Sequence, residues 1–119
     1  MDTNSTDEVG EIIAVFATQV GDPRQPLALI ARFRVRKSAG REIEEAFGEA
    51  SARTASEEGV LAYQLHREPD NPDAFVVYER WRSLDDLENH LRAPYIASLR
   101  AKIDAVMQGE PNFHVILPS

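Results

Sequence analysis

"VLAYQLHREPDNPDAFVVYERW", residues 60–81, decides the fold. It contains two β-rich runs, 60–67 and 74–81. Between them "EPDNPD" supplies prolines, an asparagine and aspartates, the composition of a hairpin connection. Upstream, "SAGREIEEAFGEASARTASEEG" (38–59) reads as a helix. Ser38 is placed to cap it, and Glu42, Glu44 and Glu45 crowd its positive end. Ile43, Ala46, Phe47 and Ala50 form one apolar stripe, and Gly59 stops the helix. Before it, "LALIARFRVR" (27–36) alternates with the period of a strand. Downstream, "SLDDLENHLR" opens with Ser83 and Asp86 in capping-box spacing. Pro94 then starts a second helical piece whose inward residues are Ile96, Leu99, Ile103, Val106 and Met107. Gly109 and Pro111 end that piece, and "NFHVIL" (112–117) is a final strand. The order β-α-β-β-α-β, with the second helix broken in two, is an α+β ferredoxin-like arrangement with an antiparallel sheet.

The two faces of that sheet carry different information. Phe33, Tyr63, Leu65, Phe75, Val77, Phe113 and Val115 share the parity expected to meet the helices. The opposite parity carries Ala28, Ile30, Val60, Ala62, Val76, Tyr78 and Ile116. That is too much apolar surface for a face left in water. A second copy packed sheet to sheet would cover it, so a homodimer through the outward face is expected. The alternative is that residues 12–20 fold back over it within one chain.

Residues 1–26 form an extension before the main domain at 27–119. Residues 1–10 are polar and expected to be loose. "IIAVFATQV" (12–20) is short, apolar and rich in β-branched residues, and is read as an extra strand. "GDPRQP" (21–26) is a linker. The N-terminus carries acids where a secretory signal needs positive charge, which points to a cytoplasmic protein. The apolar stretch is too short for a bilayer, so no membrane partner is expected.

The chain has 119 residues, enough for one domain. Thirteen basic against twenty acidic residues give a net charge of −7, the wrong sign for a nucleic-acid partner. With no cysteine, thiolate metal sites and cysteine nucleophiles are excluded. His66 and His114 have the outward parity and lack a third ligand, so no metal site is expected. Glycine-rich phosphate loops, nucleophile elbows and HExxH are absent from the sequence.

Chemistry concentrates at the junction after residue 78. Glu79 and Trp81 have the parity that points beneath the helices. A carboxylate there is costly unless paired. It is either a strand-end acid bonded to a cap or an arginine, or a desolvated group that orients a histidine or substrate. Trp81 is either core or the wall of an aromatic pocket. His90 flanks the buried stripe of the next helix, as a satisfied edge residue or as a neutral imidazole facing a cavity.

These residues also carry a resemblance. "EEGVLAYQLHREPDNPDAFVVYERWRSLDDLENHLRAPYIASL" resembles the core of the antibiotic biosynthesis monooxygenase family. The family pattern of E-x-G, then x-x-Y, a short turn, E-x-W and a helical histidine matches Glu57, Gly59, Tyr63, Glu79, Trp81 and His90. Glu58 stands where the family commonly has proline. The resemblance covers residues 27–117 and implies a dimeric α+β barrel with a pocket between sheet and helices. It further implies O₂ oxidation of a small aromatic phenol or quinol without cofactor. Under that reading His90, Glu79 and Trp81 are the catalytic group, and Tyr63, Phe33 and Tyr95 line the substrate pocket. A haem-degrading branch of the same scaffold uses a first-strand asparagine that "LALIARFRV" lacks. Two other readings use the same pocket: a non-catalytic dimeric protein that binds a small aromatic ligand, and a cyclase or isomerase.

Overall fold

The computed structural model describes residues 7–119. Its elements run α1 (Glu8–Val20), β1 (Leu27–Val35), α2 (Gly40–Thr54), β2 (Val60–Glu68), β3 (Asn71–Trp81), α3 (Leu84–Arg92), α4 (Pro94–Val106) and β4 (Met107–Ile116). The four strands form one antiparallel sheet in the order β2-β3-β1-β4. The first and third strands lie at its centre, as the split βαβ arrangement requires.

Alternation sets which side chains meet the helices. Leu27, Leu29, Ala31, Phe33 and Val35 of β1 are buried, and their β3 neighbours Phe75, Val77, Glu79 and Trp81 are buried with them. One core cluster gathers Phe33, Phe75 and Val77 against Ile43 and Phe47 of α2 and Ile96 and Leu99 of α4. A second packs Leu27, Leu29 and Trp81 against Leu84 and Leu87 of α3 and Phe16 and Val20 of α1. Val60 departs from the expected outward set. It pairs with Trp81 across a bulge at Leu61 and joins the second cluster. The extra residue shifts parity by one, which alternation alone does not register.

The first element corrects the sequence reading. Residues 8–20 are helix, not a strand at 12–20, and the polar run is helical from Glu8 onward. Residues 1–6 of the stretch expected to be loose lie outside the described residues. Ile12, Ile13, Phe16 and Val20 recur at helical spacing and face α3 and the sheet. Asp7 caps the start by accepting from the Gly10 amide, and Gly21, at φ 84°, ends it. The helix is tied down at its N-terminal end, where Arg92 of α3 meets Asp7 at 2.9 Å and Arg100 of α4 meets Glu8 at 3.0 Å. Because α1 lies on the helical side, it does not cover the outward sheet face.

Two smaller expectations also change. Ser38 does not cap α2. Instead Asp73, from the β2–β3 hairpin side, accepts from the Ser38 and Gly40 amides at 3.2 and 2.8 Å. Gly109 and Pro111 do not stand between α4 and the last strand but within β4. The register against β1 slips between Arg32 and Arg34, and the bulge accommodates both residues.

Candidate functional site

Between the helices and the sheet lies a cavity of about 290 Å³. Its floor includes Leu29, Ala31 and Phe33 of β1 and Val77 and Glu79 of β3, its roof Ile96 and Leu99 of α4. Ile12 and Phe16 of α1 form one wall. Phe113 of β4, 54% exposed, stands at its edge. The volume sits at the small end of ligand pockets, which begin near roughly 300 Å³.

Six polar or charged side chains line this mainly apolar space: Glu8, Arg100 and Asp104, which keep contact with solvent, and Glu79, His90 and Tyr63, which are buried or half-buried. Glu79 is 8% exposed, and its Oε1 accepts the Trp81 indole N–H at 2.9 Å. Burial pushes its carboxyl up to about 7. The Trp81 bond pulls the other way, and nearby Glu57 adds to the rise. At neutral pH this group is divided between acid and carboxylate, so it can give or take a proton. His90 is 1% exposed, and burial pushes its imidazole down despite the hydrogen bond it makes to Glu57. It is therefore neutral at pH 7. Tyr63 stacks on Phe47 with ring centroids 4.8 Å apart and meets the His90 ring edge-on at 4.8 Å. Burial raises the Tyr63 phenol well above its ordinary value. It therefore stays protonated and is available as a donor.

Glu57 precedes β2 in the loop after α2, and its two carboxylate oxygens lie 3.0 and 3.2 Å from His90 Nδ1. With the proton on Nδ1, the imidazole donates to Glu57 and leaves Nε2 as a free acceptor. The loop is held in place from below. Gly59 has φ +89°, and a Cβ there would stand 2.2 Å from Asp86 Cγ. Asp86 itself takes bonds from Arg82 at 2.9 and 3.0 Å and from Ser83 at 2.8 Å.

The six residues singled out from the sequence thus divide. Glu79, His90, Tyr63 and Phe33 border the cavity. Trp81, 0% exposed, is not a wall. It sits behind them, 4.6 Å from the His90 ring and bonded to Glu79. Tyr95 does not line this cavity. Its hydroxyl donates to Glu57, and its ring borders a second, polar cavity. Glu79 does not orient His90 either, because the histidine's partner is Glu57. Two contributors escape sequence reasoning. Glu57 belongs to the E-x-G motif, but its spacing points to no partner, and the α1 wall is lost when residues 12–20 are read as a strand. Among the described residues no cluster of three or more potential metal ligands occurs. No described helix is long and apolar enough to cross a membrane.

The Glu79 environment predicts a pH effect on stability. The unfolded carboxyl ionises near 4.5 and the folded one near 7. Between those values the native state holds a proton that the unfolded chain has lost. Stability therefore falls as pH rises through this window, by about 3 kcal/mol in total. Glu79→Gln keeps an acceptor for the Trp81 N–H and removes the charge. At pH 8 the variant should melt roughly 10 °C above wild type at equal protein concentration, and at pH 4.5 close to it. Parallel melting curves across this range would mean that the carboxylate is not desolvated as described.

Comparison with known proteins follows the same lines. The family model for antibiotic biosynthesis monooxygenase matches residues 26–102. The Mycobacterium tuberculosis protein named "Putative monooxygenase Rv0793" is 28% identical over 93 residues, spanning 78% of this chain and 91% of that protein. Its solved structure superposes with a TM-score of 0.73, covering 80% of this chain and 96% of its own. A Caulobacter crescentus protein assigned to the same family gives 0.75 at 26% identity, covering 82% and 92%. SnoaB from Streptomyces nogalater, a cofactor-independent oxygenase, shares the fold with a TM-score of 0.69 at 21% identity, covering 80% and 94%. The matched residues begin after α1, so this helix lies outside the family's shared region.

Proposed function

The chain belongs to the antibiotic biosynthesis monooxygenase family, and from that premise we propose that it oxidises a small aromatic phenol or quinol with O₂, drawing the electrons from the substrate itself. One observation carries this reading: a buried, neutral imidazole and a half-protonated carboxyl border the same small aromatic-walled cavity. A phenol becomes an effective one-electron donor once its O–H is ionised, and ionisation in a dry site needs a base in contact with it. His90, through its free ring nitrogen, takes the phenolic proton. Electron transfer from the phenolate to O₂ gives a radical pair that recombines at a ring carbon bearing hydrogen, and the peroxide anion so formed takes up a proton through His90 to become an organic hydroperoxide. Loss of the proton on that carbon to His90, with cleavage of the O–O bond, yields the quinone and hydroxide, and Glu79 in its acid form supplies the proton that makes water. Tyr63 donates to the anionic oxygen, and Phe33 stacks against the ring. Trp81 fixes the position of Glu79. No cofactor is required in this scheme.

SnoaB, a cofactor-independent oxygenase of the same fold, is consistent with this reading. The domain at 27–119 would act as a homodimer through its outward sheet face, with α1 closing the pocket from one side. The test is oxygen consumption by the purified protein with a naphthalene hydroquinone. Stoichiometric uptake with formation of the hydroxyquinone, carrying one oxygen atom from O₂, supports the proposal. Saturable binding without uptake would assign the pocket to a ligand-binding protein instead. Product formed without oxygen would assign it to a cyclase or isomerase.

A further inference from the structure

Resting on the reading of His90 as the base, we propose that Glu57 is the second half of a proton relay, connecting the buried inner end of the reaction cavity through His90 to a separate water-accessible pocket. The main cavity is bordered by His90 but not by Glu57. A second cavity of about 220 Å³ is bordered by Glu57 but not by His90. Its other sides are Glu58, Asp86, Asn89, Ala93 and Tyr95, a polar lining suited to water. The two cavities are therefore separated by one hydrogen-bonded pair. The imidazole Nδ1 is 3.0 Å from a Glu57 oxygen. The histidine is closed to solvent, whereas the Glu57 side chain is 19% exposed.

The chemistry needs such a path in both directions. When the substrate O–H breaks, a proton forms a bond to His90 Nε2. Left there, the imidazolium beside the phenolate would hold its negative charge by Coulomb attraction and weaken it as an electron donor. If Nδ1–H instead breaks and Glu57 O–H forms, the cation disappears and the anion stands alone. Glu57 then releases its proton to water in the second cavity. Later, when the peroxide anion forms, a proton must return to make the hydroperoxide, and the same pair carries it inward. The overall oxidation consumes no net proton, so the relay ends where it began. Tyr95, whose hydroxyl donates to the same Glu57 oxygen that lies 3.0 Å from His90 Nδ1, keeps the carboxylate turned toward the histidine at the border of the second cavity. Glu57 acts through His90 and is a positioning residue that also carries the proton.

Two variants test this, with one readout that does not require turnover. Glu57→Gln keeps a group that can accept from Nδ1 but cannot carry a proton. Glu57→Ala opens space beside the second cavity for a small carboxylate. In wild type, the His90 ring proton, followed by nitrogen-15 NMR, should exchange with solvent at least tenfold faster than in either variant. Added formate should restore fast exchange in Glu57→Ala and not in Glu57→Gln. If the protein oxidises quinols, turnover should follow the same pattern, including the formate response. Exchange that is equally fast in all three proteins, or slowed in both variants without formate rescue, overturns the relay. A wild type with the exchange pattern but no oxygen uptake would keep the relay and refute the oxidation.

Discussion

His90→Gln should lower kcat for quinol oxidation by on the order of 100- to 10,000-fold while leaving KM and the melting temperature close to wild type. The expectation follows from what the imidazole touches. Its ring is wedged against Trp81 and Tyr63, and Nδ1 is engaged by Glu57. A glutamine amide can still donate to Glu57, so the loop carrying Gly59 keeps its anchor. The amide cannot accept a proton at neutral pH, so the substrate would have to ionise without a base in contact. At the mainly apolar inner end of the cavity this costs most of the catalytic advantage. The split between kcat and KM separates this from a packing defect, which would raise KM and lower stability together. Turnover retained within threefold would remove His90 from the chemistry and leave Glu79, with its carboxyl near pH 7, as the remaining base.

The part of this site that was legible in the sequence is the part fixed by strand parity. Phe75, Val77, Glu79 and Trp81 had to point one way once the hairpin was recognised, and all four are buried on that side. What was not legible depends on tertiary encounters. Glu57 finds His90 across a separation of 33 residues. Nothing in its spacing distinguishes it from Glu58, Asp85 or Glu88, which are also acids near this junction. Tyr95 follows a break at Ala93, whose ψ of 134° resets the helical phase. Its ring turns toward the end of α2, where Arg53 lies 5.2 Å from the ring centroid, rather than into the cavity.

The misread first element has a similar cause. Ile12, Ile13, Val15 and Val20 are β-branched and gave a strand-like composition over a short run. The segment is helical because its apolar stripe lands on Trp81, Leu84 and Leu87. Its acidic end is also met by arginines 85 and 92 positions away in sequence. Tertiary packing overrides weak local preference in such segments.

With α1 on the helical side, nothing within the described chain covers the outward sheet face. Ile30 sits at its centre, paired with Tyr78 on one side and His114 on the other. Val76 and Ala28 flank that row, Ile116 is 40% exposed beside it, and Gln64 and His66 complete the face toward β2. An isologous sheet-to-sheet contact would bury this apolar centre and leave Arg32, Arg34 and Arg80 nearer its margin. Ile30→Glu would then place a carboxylate from each copy into the middle of the contact with no partner, a cost the monomer does not bear because the same residue there faces water. Light scattering should therefore give the wild type twice the 13.3 kDa of one chain and Ile30→Glu the mass of a single chain. The far-UV spectra should be unchanged. A wild type that runs as a single chain, or a variant that stays dimeric, would show that this face is not the contact. The cavity is built on the opposite side of the same strands. A monomeric variant that still binds a naphthalene hydroquinone would thus separate assembly from the pocket, and one that loses binding would show that the dimer holds β1 and β3 in the register the cavity needs.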